Sequence, residues 1–240
     1  MIKLVLIALI SLLLSGDNDV HRYVKNTNDK FNSIDDYQVQ MTVKLDVPAF
    51  RMAKKRYKVY YKKPDKIKVK ARGFGILPKT GLFTSPNDNF DNLENLRVSN
   101  YRDSDNINDI MIVGDLIVDS LKLEMPNEYS RLAFDPIVEV KVDTLNWVIK
   151  NVTTKLDTLK LFQIENFYDT YDNKYYMPKR SIVKYFIKDK KFFNWLNKDA
   201  GNIIGKNAAM PENNSTVEGT IIVDYKKYKI NKGIKDKVFN

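Results

Sequence analysis

Between Tyr57 and Gly73 the chain reads YKVYYKKPDKIKVKARG, and a period of two governs the stretch. Tyr57, Val59 and Tyr61 share one parity while Lys58 and Lys62 take the other; past Pro64-Asp65, Ile67, Val69 and Ala71 alternate with Lys66, Lys68, Lys70 and Arg72. Successive side chains of a strand point to opposite faces, so the pattern predicts two strands joined at the Pro-Asp turn, with one apolar face and one lysine face. The lysines are then the wet side of a hairpin, interspersed with apolar residues rather than clustered as in a nucleic-acid-binding arm.

The same period recurs along the chain. Tyr37, Val39, Met41, Val43 and Leu45 alternate with polar residues, and strand patterning returns at Val138, Val140 and Val142 and around Trp147 and Ile149. It continues from Lys160 to Tyr168, at Val183 and Tyr185, and at Val217, Ile221, Val223 and Tyr225. No tandem repeat or flexible linker divides these segments, which predicts a mainly β protein built on one antiparallel sheet large enough to curl. Two helices are expected beside it. Val20, Tyr23, Val24, Thr27, Phe31 and Ile34 recur at helical spacing after an N-cap among Asp17 to Asp19. Ile107, Ile110, Met111, Gly114, Ile117 and Leu121 have the same spacing, in a helix weakened by Gly114.

The first sixteen residues, MIKLVLIALISLLLSG, place one lysine before an apolar run and read as a secretory signal, leaving 17–240 as a single domain. LLSG is what precedes the lipid-modified cysteine of a bacterial lipoprotein, but Asp17 follows here, and Leu14 suits ordinary signal cleavage poorly. Both an atypically cleaved soluble protein and a lipoprotein sequence lacking its cysteine remain open. No later segment approaches the roughly 20 apolar residues of a spanning helix, so an exported, soluble or peripheral protein is expected. With no cysteine in the chain, stability must come from burial. Losing Lys3 with the signal lowers the 40 basic residues to 39, against 30 acidic ones. In an exported protein that excess suits anionic lipid headgroups better than nucleic acid.

Few residues offer chemistry. The one histidine, His21, lies on the first predicted helix without a nucleophile or ligand partner, and with no cysteine, zinc and thiol chemistry are not expected. Asp103, Asp105 and Asp109 suggest a calcium loop, but Asn108 stands where its glycine belongs and Gly114 where its bidentate glutamate belongs, so a solvated helix start is expected. GFGILPKTG lacks phosphate-loop spacing, and nothing marks Asp35-Asp36 as a glycosidase pair. No catalysis, metal or cofactor is expected. What remains is a one-sided apolar surface, which either closes into an ordinary core or encloses a cavity gated by helices. The shared parity assigns its lining to Val39, Met41, Val43, Val59 and Tyr61, to Ile67 and Val69, to Val138, Val140 and Trp147, and to Val183, Tyr185, Ile221 and Val223. Lys188 to Asn214, longer than an ordinary connector, carries Phe192, Phe193, Trp195 and Leu196 among lysines. It is expected either to contact a membrane or to plug the barrel.

The stretches YQVQMTVKLD, YKVYYKKPDKIKVKA, VEVKVDTLNWVIKNV, YYMPKRSIVKYF and VEGTIIVDYKKYKINKGIKDKVF, in that order, resemble the LolA/LolB-like outer-membrane lipoprotein-sorting proteins. The resemblance implies an incomplete antiparallel β-barrel, a strongly curled sheet whose apolar concave face is covered by helices and takes up lipid or lipoprotein acyl chains in the periplasm. It also implies a latch at the residue before the hairpin proline, here Lys63 where the carrier branch has arginine; lysine lacks arginine's planar fork. The partners expected are lipid or lipoprotein acyl chains, from the resemblance, an anionic membrane surface, from the charge excess, and an unknown envelope protein. The alternatives are a non-catalytic envelope module with a closed β core, and an exported hydrolase with an unrecognised site.

Overall fold

A computed structural model describes residues 19–47, 50–51, 54–71, 89–99, 106–117, 136–187 and 217–240. The signal, GFGILPKTG, Asp103, Asp105 and the Lys188 to Asn214 stretch with Phe192, Phe193, Trp195 and Leu196 lie outside the described residues. The protein is mainly β, with strands β1 (Asp36–Val47), β2 (Phe50–Arg51), β3 (Lys55–Lys62), β4 (Lys66–Ala71), β5 (Leu93–Val98), β6 (Asp109–Leu116), β7 (Ile137–Asp143), β8 (Val148–Leu156), β9 (Leu159–Tyr171), β10 (Tyr175–Ile187) and β11 (Val217–Ile230). Among the described residues the antiparallel order ends on β4 and on β5 and does not close into a barrel, and β2 pairs only with β1. The chain divides into two compact units, residues 33–83 with 158–240 and residues 1–32 with 84–157.

In the unit of 33–83 and 158–240 the strand order is β4-β3-β1-β11-β10-β9. Register explains why alternation in separate segments yields one face. Val39 pairs with Val59, and Val59 in turn with Val69; Val43 pairs with Val223, and Ile221 with Val183. An odd-numbered slip in any of these pairings would turn a strand's apolar set outward. The face survives two irregularities, one where β11 passes Gln38 and Gln40 and one at Pro178 and Arg180. At the first, Lys227 takes φ 57°. Its extra residue brings Tyr228 and Ile230, of opposite parity, to the face of Tyr225, and Ile230 is buried opposite Tyr37.

The other unit holds a helix, α1 (residues 19–32), and strands β5 to β8 in the order β8-β7-β6-β5. Val20 and Thr27 on α1 are buried, as the helical spacing requires, and Thr27 Oγ1 donates to the Tyr23 carbonyl at 2.8 Å. The second helix expected from Ile107 to Leu121 is not formed: residues 109–116 are β6, paired along their length with β7. The run Ile110-Met111-Ile112-Val113 satisfies periods of 2 and 3.6 alike, and its β-branched residues favour the strand. Gly114, read as a weakness in a helix, has a strand role. A Cβ there would lie 2.8 Å from Leu96 Cδ2 and 3.0 Å from Leu93 Cβ, so the glycine lets β5 approach closely.

Candidate functional site

The apolar face of the 33–83/158–240 unit is graded from centre to edge. Val39, Met41, Val43, Val59, Tyr61, Val183, Ile221 and Val223 are all buried, Val59 and Val223 completely. Tyr185 on β10 is half-buried. On the edge strand β4, Val69 is half-buried and Ile67 is 45% exposed, although each pairs with a buried residue of β3. The apolar parity therefore continues across the sheet while its cover does not.

Residues outside the predicted lining share this face. Ser181 is paired with Val223 on β11 and Asn166 on β9, and its Oγ donates to Asn166 Oδ1 at 2.7 Å while lying 3.3 Å from the Tyr225 hydroxyl. Burial pushes the Tyr225 phenol up to about 12, with the Ser181 hydrogen bond pulling the other way. Tyr37 stacks on Tyr61 at 5.1 Å between ring centroids, and Tyr228 lies 4.6 Å from Tyr171 and donates from its hydroxyl to the Pro178 carbonyl at 2.9 Å. Burial drives the Tyr37 and Tyr228 phenols well above their ordinary range, so both stay neutral. Ser181 was legible as a member of the face by its two-residue step to Val183, but its hydroxyl argued against a place in an apolar row.

Lys63 lies at the β3–β4 turn, before a cis peptide to Pro64. Its backbone N–H donates to the Asp35 carbonyl at 2.9 Å and its Nζ reaches Asp35 Oδ1 at 3.3 Å. Asp35 belongs to the segment leading into β1, where a second set of contacts converges. Asn231 Oδ1 accepts from the Asp35 and Asp36 N–H groups at 2.7 and 3.2 Å, and its Nδ2 donates to the Ser33 carbonyl and the Tyr175 hydroxyl, both at 3.3 Å. The buried Asp36 carboxylate accepts in return from the Lys232 and Gly233 N–H groups at 3.1 and 2.9 Å. The N-K-G-I motif thus ties the end of β11 to the start of β1.

In the unit of 1–32 and 84–157, Val138 and Val140 are buried on β7, and Val140 pairs with Ile112, a lining-type residue hidden by the helical reading of its segment. Trp147 stands in the β7–β8 turn rather than on a strand, half-buried at φ 55°, with its ring 6.3 Å from that of Tyr23 on α1. Asp143 holds that turn by accepting from the Leu145 and Asn146 N–H groups. Asp109 is not a solvated helix start: it opens β6, is buried, and its Oδ2 accepts from Lys150 Nζ at 2.7 Å. Lys150 is the extra residue of the bulge opposite Lys141 and Val142, which turns it toward Asp109. His21 is exposed on α1. Among the described residues no three His, Asp or Glu side chains are grouped to hold a metal.

Several solved structures match this architecture over 92% of the chain and 97% of their own. A LolA superfamily protein from Nitrosomonas europaea is 12% identical with a TM-score of 0.52. A domain assigned as an outer-membrane lipoprotein-sorting protein from Vibrio parahaemolyticus is 10% identical with a TM-score of 0.53. The fold is LolA-like. A DUF1329 family protein from Desulfovibrio piger, 9% identical with a TM-score of 0.52, carries the same fold. No family model matches the sequence, and neither does any characterised protein. The LolA-like fold is thus shared at only 9–12% identity.

Proposed function

We propose that the protein is a binding protein, not an enzyme, that takes up lipids or lipoprotein acyl chains in a hydrophobic cavity against the apolar face of its sheet, in the periplasm. The observation that carries the reading is the graded exposure of that face. A closed core would bury its apolar parity out to the last strand, whereas here Val69 is half-buried and Ile67 exposed beside a dry centre. An acyl chain laid along that edge would cover them. The LolA-like fold and the lipoprotein-sorting assignment of one neighbour support the choice of ligand, and the absence of a helix long and apolar enough to cross a membrane, among the described residues, is consistent with a periplasmic protein.

Burying a methylene contributes ~0.8 kcal/mol, so about ten of them offset several kcal/mol of ordering cost. Tail burial dominates, and headgroup selectivity is small. The test compares Val69→Asp with Lys68→Ala, measured as bound lipid per folded protein. Val69 is partly open, so the charge is tolerated by the fold but not by the ligand. Loss of lipid only in Val69→Asp is the expected result. Lipid retained by a folded Val69→Asp and lost by Lys68→Ala would show that the wrong face had been assigned.

A further inference from the structure

The opposite face of the same strands carries its own pattern, visible only once the register is known. Lys70 pairs with Lys58, Lys58 with Gln40, and Gln40 with Lys226, which makes one row across β4, β3, β1 and β11. The next row is Lys68, Tyr60, Gln38 and Lys229. Five lysines and no carboxylate therefore occupy two adjacent rows, within about 15 Å across four strands. Lys58 and Lys70 face each other directly, an arrangement that disfavours the sheet. Their ammonium groups lie 5.2 and 5.5 Å from the centre of the Tyr60 ring.

The carboxylates that border this patch are already engaged, and none is left for the lysines within it. Asp224, one row further, is taken by Arg180 at 2.7 Å; Lys44 pairs with Asp46, and Lys62 and Lys66 share Asp236. Among the described residues, no carboxylate lies within ion-pairing distance of Lys58, Lys70, Lys226 or Lys229, and Lys68 Nζ donates to the Asn240 carbonyl at 3.1 Å. We infer that this lysine face is a docking surface for anionic bilayers, its missing counter-charge supplied by lipid headgroups. A strand-borne array of cations complements the charge of a layer of headgroup phosphates, and Tyr60, between Lys58 and Lys70, is of the residue type that settles at the headgroup level. The inference does not rest on acyl-chain binding: the two use opposite faces of the sheet.

The experiment is co-sedimentation of the protein with vesicles of phosphatidylcholine alone and with 30% phosphatidylglycerol added. Binding should require phosphatidylglycerol and be released by 0.5 M salt, where the screening length is well below 10 Å. Each lysine near an anionic surface is worth roughly five-fold in affinity, so Lys58→Gln with Lys70→Gln should weaken binding about 30-fold. Lys160→Gln with Lys174→Gln makes the same change in net charge on exposed residues outside the two rows and should shift binding less than about three-fold. Equal losses in the two double variants would reduce the effect to net charge and overturn the assignment. So would equal binding to both vesicle types, or binding to heparin with none to vesicles. Bound lipid per protein, measured on the same samples, reports the acyl-chain reading separately.

Discussion

Strands β1 and β4 have the same alternation and opposite fates. Val39 and Met41 on β1 are 1% exposed, while Ile67 on β4, of the same parity and only two strands away, is 45% exposed. Alternation therefore fixes which way a side chain points, and position in the sheet fixes how deeply it lies. That difference separates a residue that holds the fold from one that is free to meet a ligand. Met41→Ala should lower stability by about 2–5 kcal/mol through lost burial and the cavity left behind. Ile67→Ala should cost less than about 1 kcal/mol, as expected of a side chain still half in water. Urea midpoints at constant slope would measure both. Similar shifts for the two would mean that the edge is as tightly packed as the centre, which would favour a closed core.

How much was legible follows from the same distinction. Period two located the β3–β4 hairpin, β1 and the strands from β7 to β11, and helical spacing located α1, because each of those signals is local. The segment from Ile107 failed because Ile110, Met111 and Gly114 fit a helix as well as a strand. The fact that decides it, Gly114 lying against Leu93 and Leu96, belongs to a neighbouring strand. The two lysine rows were likewise hidden, since neither Lys226 nor Lys229 is near Lys58 in the chain until the register brings them into line.

Asn231 tests a connection that parity could not reveal, between the end of β11 and the start of β1. It adopts φ 52°, where alanine is strained by roughly 1–2 kcal/mol, and its side chain serves two N–H groups at once. Asn231→Ala should therefore cost about 2–3 kcal/mol. Asn231→Gly restores the backbone freedom but not the hydrogen bonds and should recover about 1 kcal/mol of that loss. An equal cost for both would place the whole effect in the side-chain contacts. The result would rank this corner between the buried centre and the open edge.

The smallest expected effect belongs to the lysine side of the hairpin. Hydrogen bonds from Lys62 and Lys66, at 2.9 and 3.1 Å, lower the carboxyl pKa of Asp236 below the ordinary carboxylate value. A lowered folded-state pKa means that the contact favours the fold above the unfolded value and is lost as pH falls through the folded one. Asp236 is exposed and the ion pairs are wet, so global stability should scarcely respond. The response should instead be local, at the 3-10 turn Asp236–Val238, where protonation releases both lysines. In a carboxyl-detected NMR titration the Asp236 midpoint should lie below that of an ordinary aspartate, and should move up toward it in Lys62→Ala with Lys66→Ala. An unmoved midpoint would detach the turn from the hairpin's outer face. It would also free two more cations beside the four that lack a carboxylate partner there, enlarging the surface offered to anionic lipid.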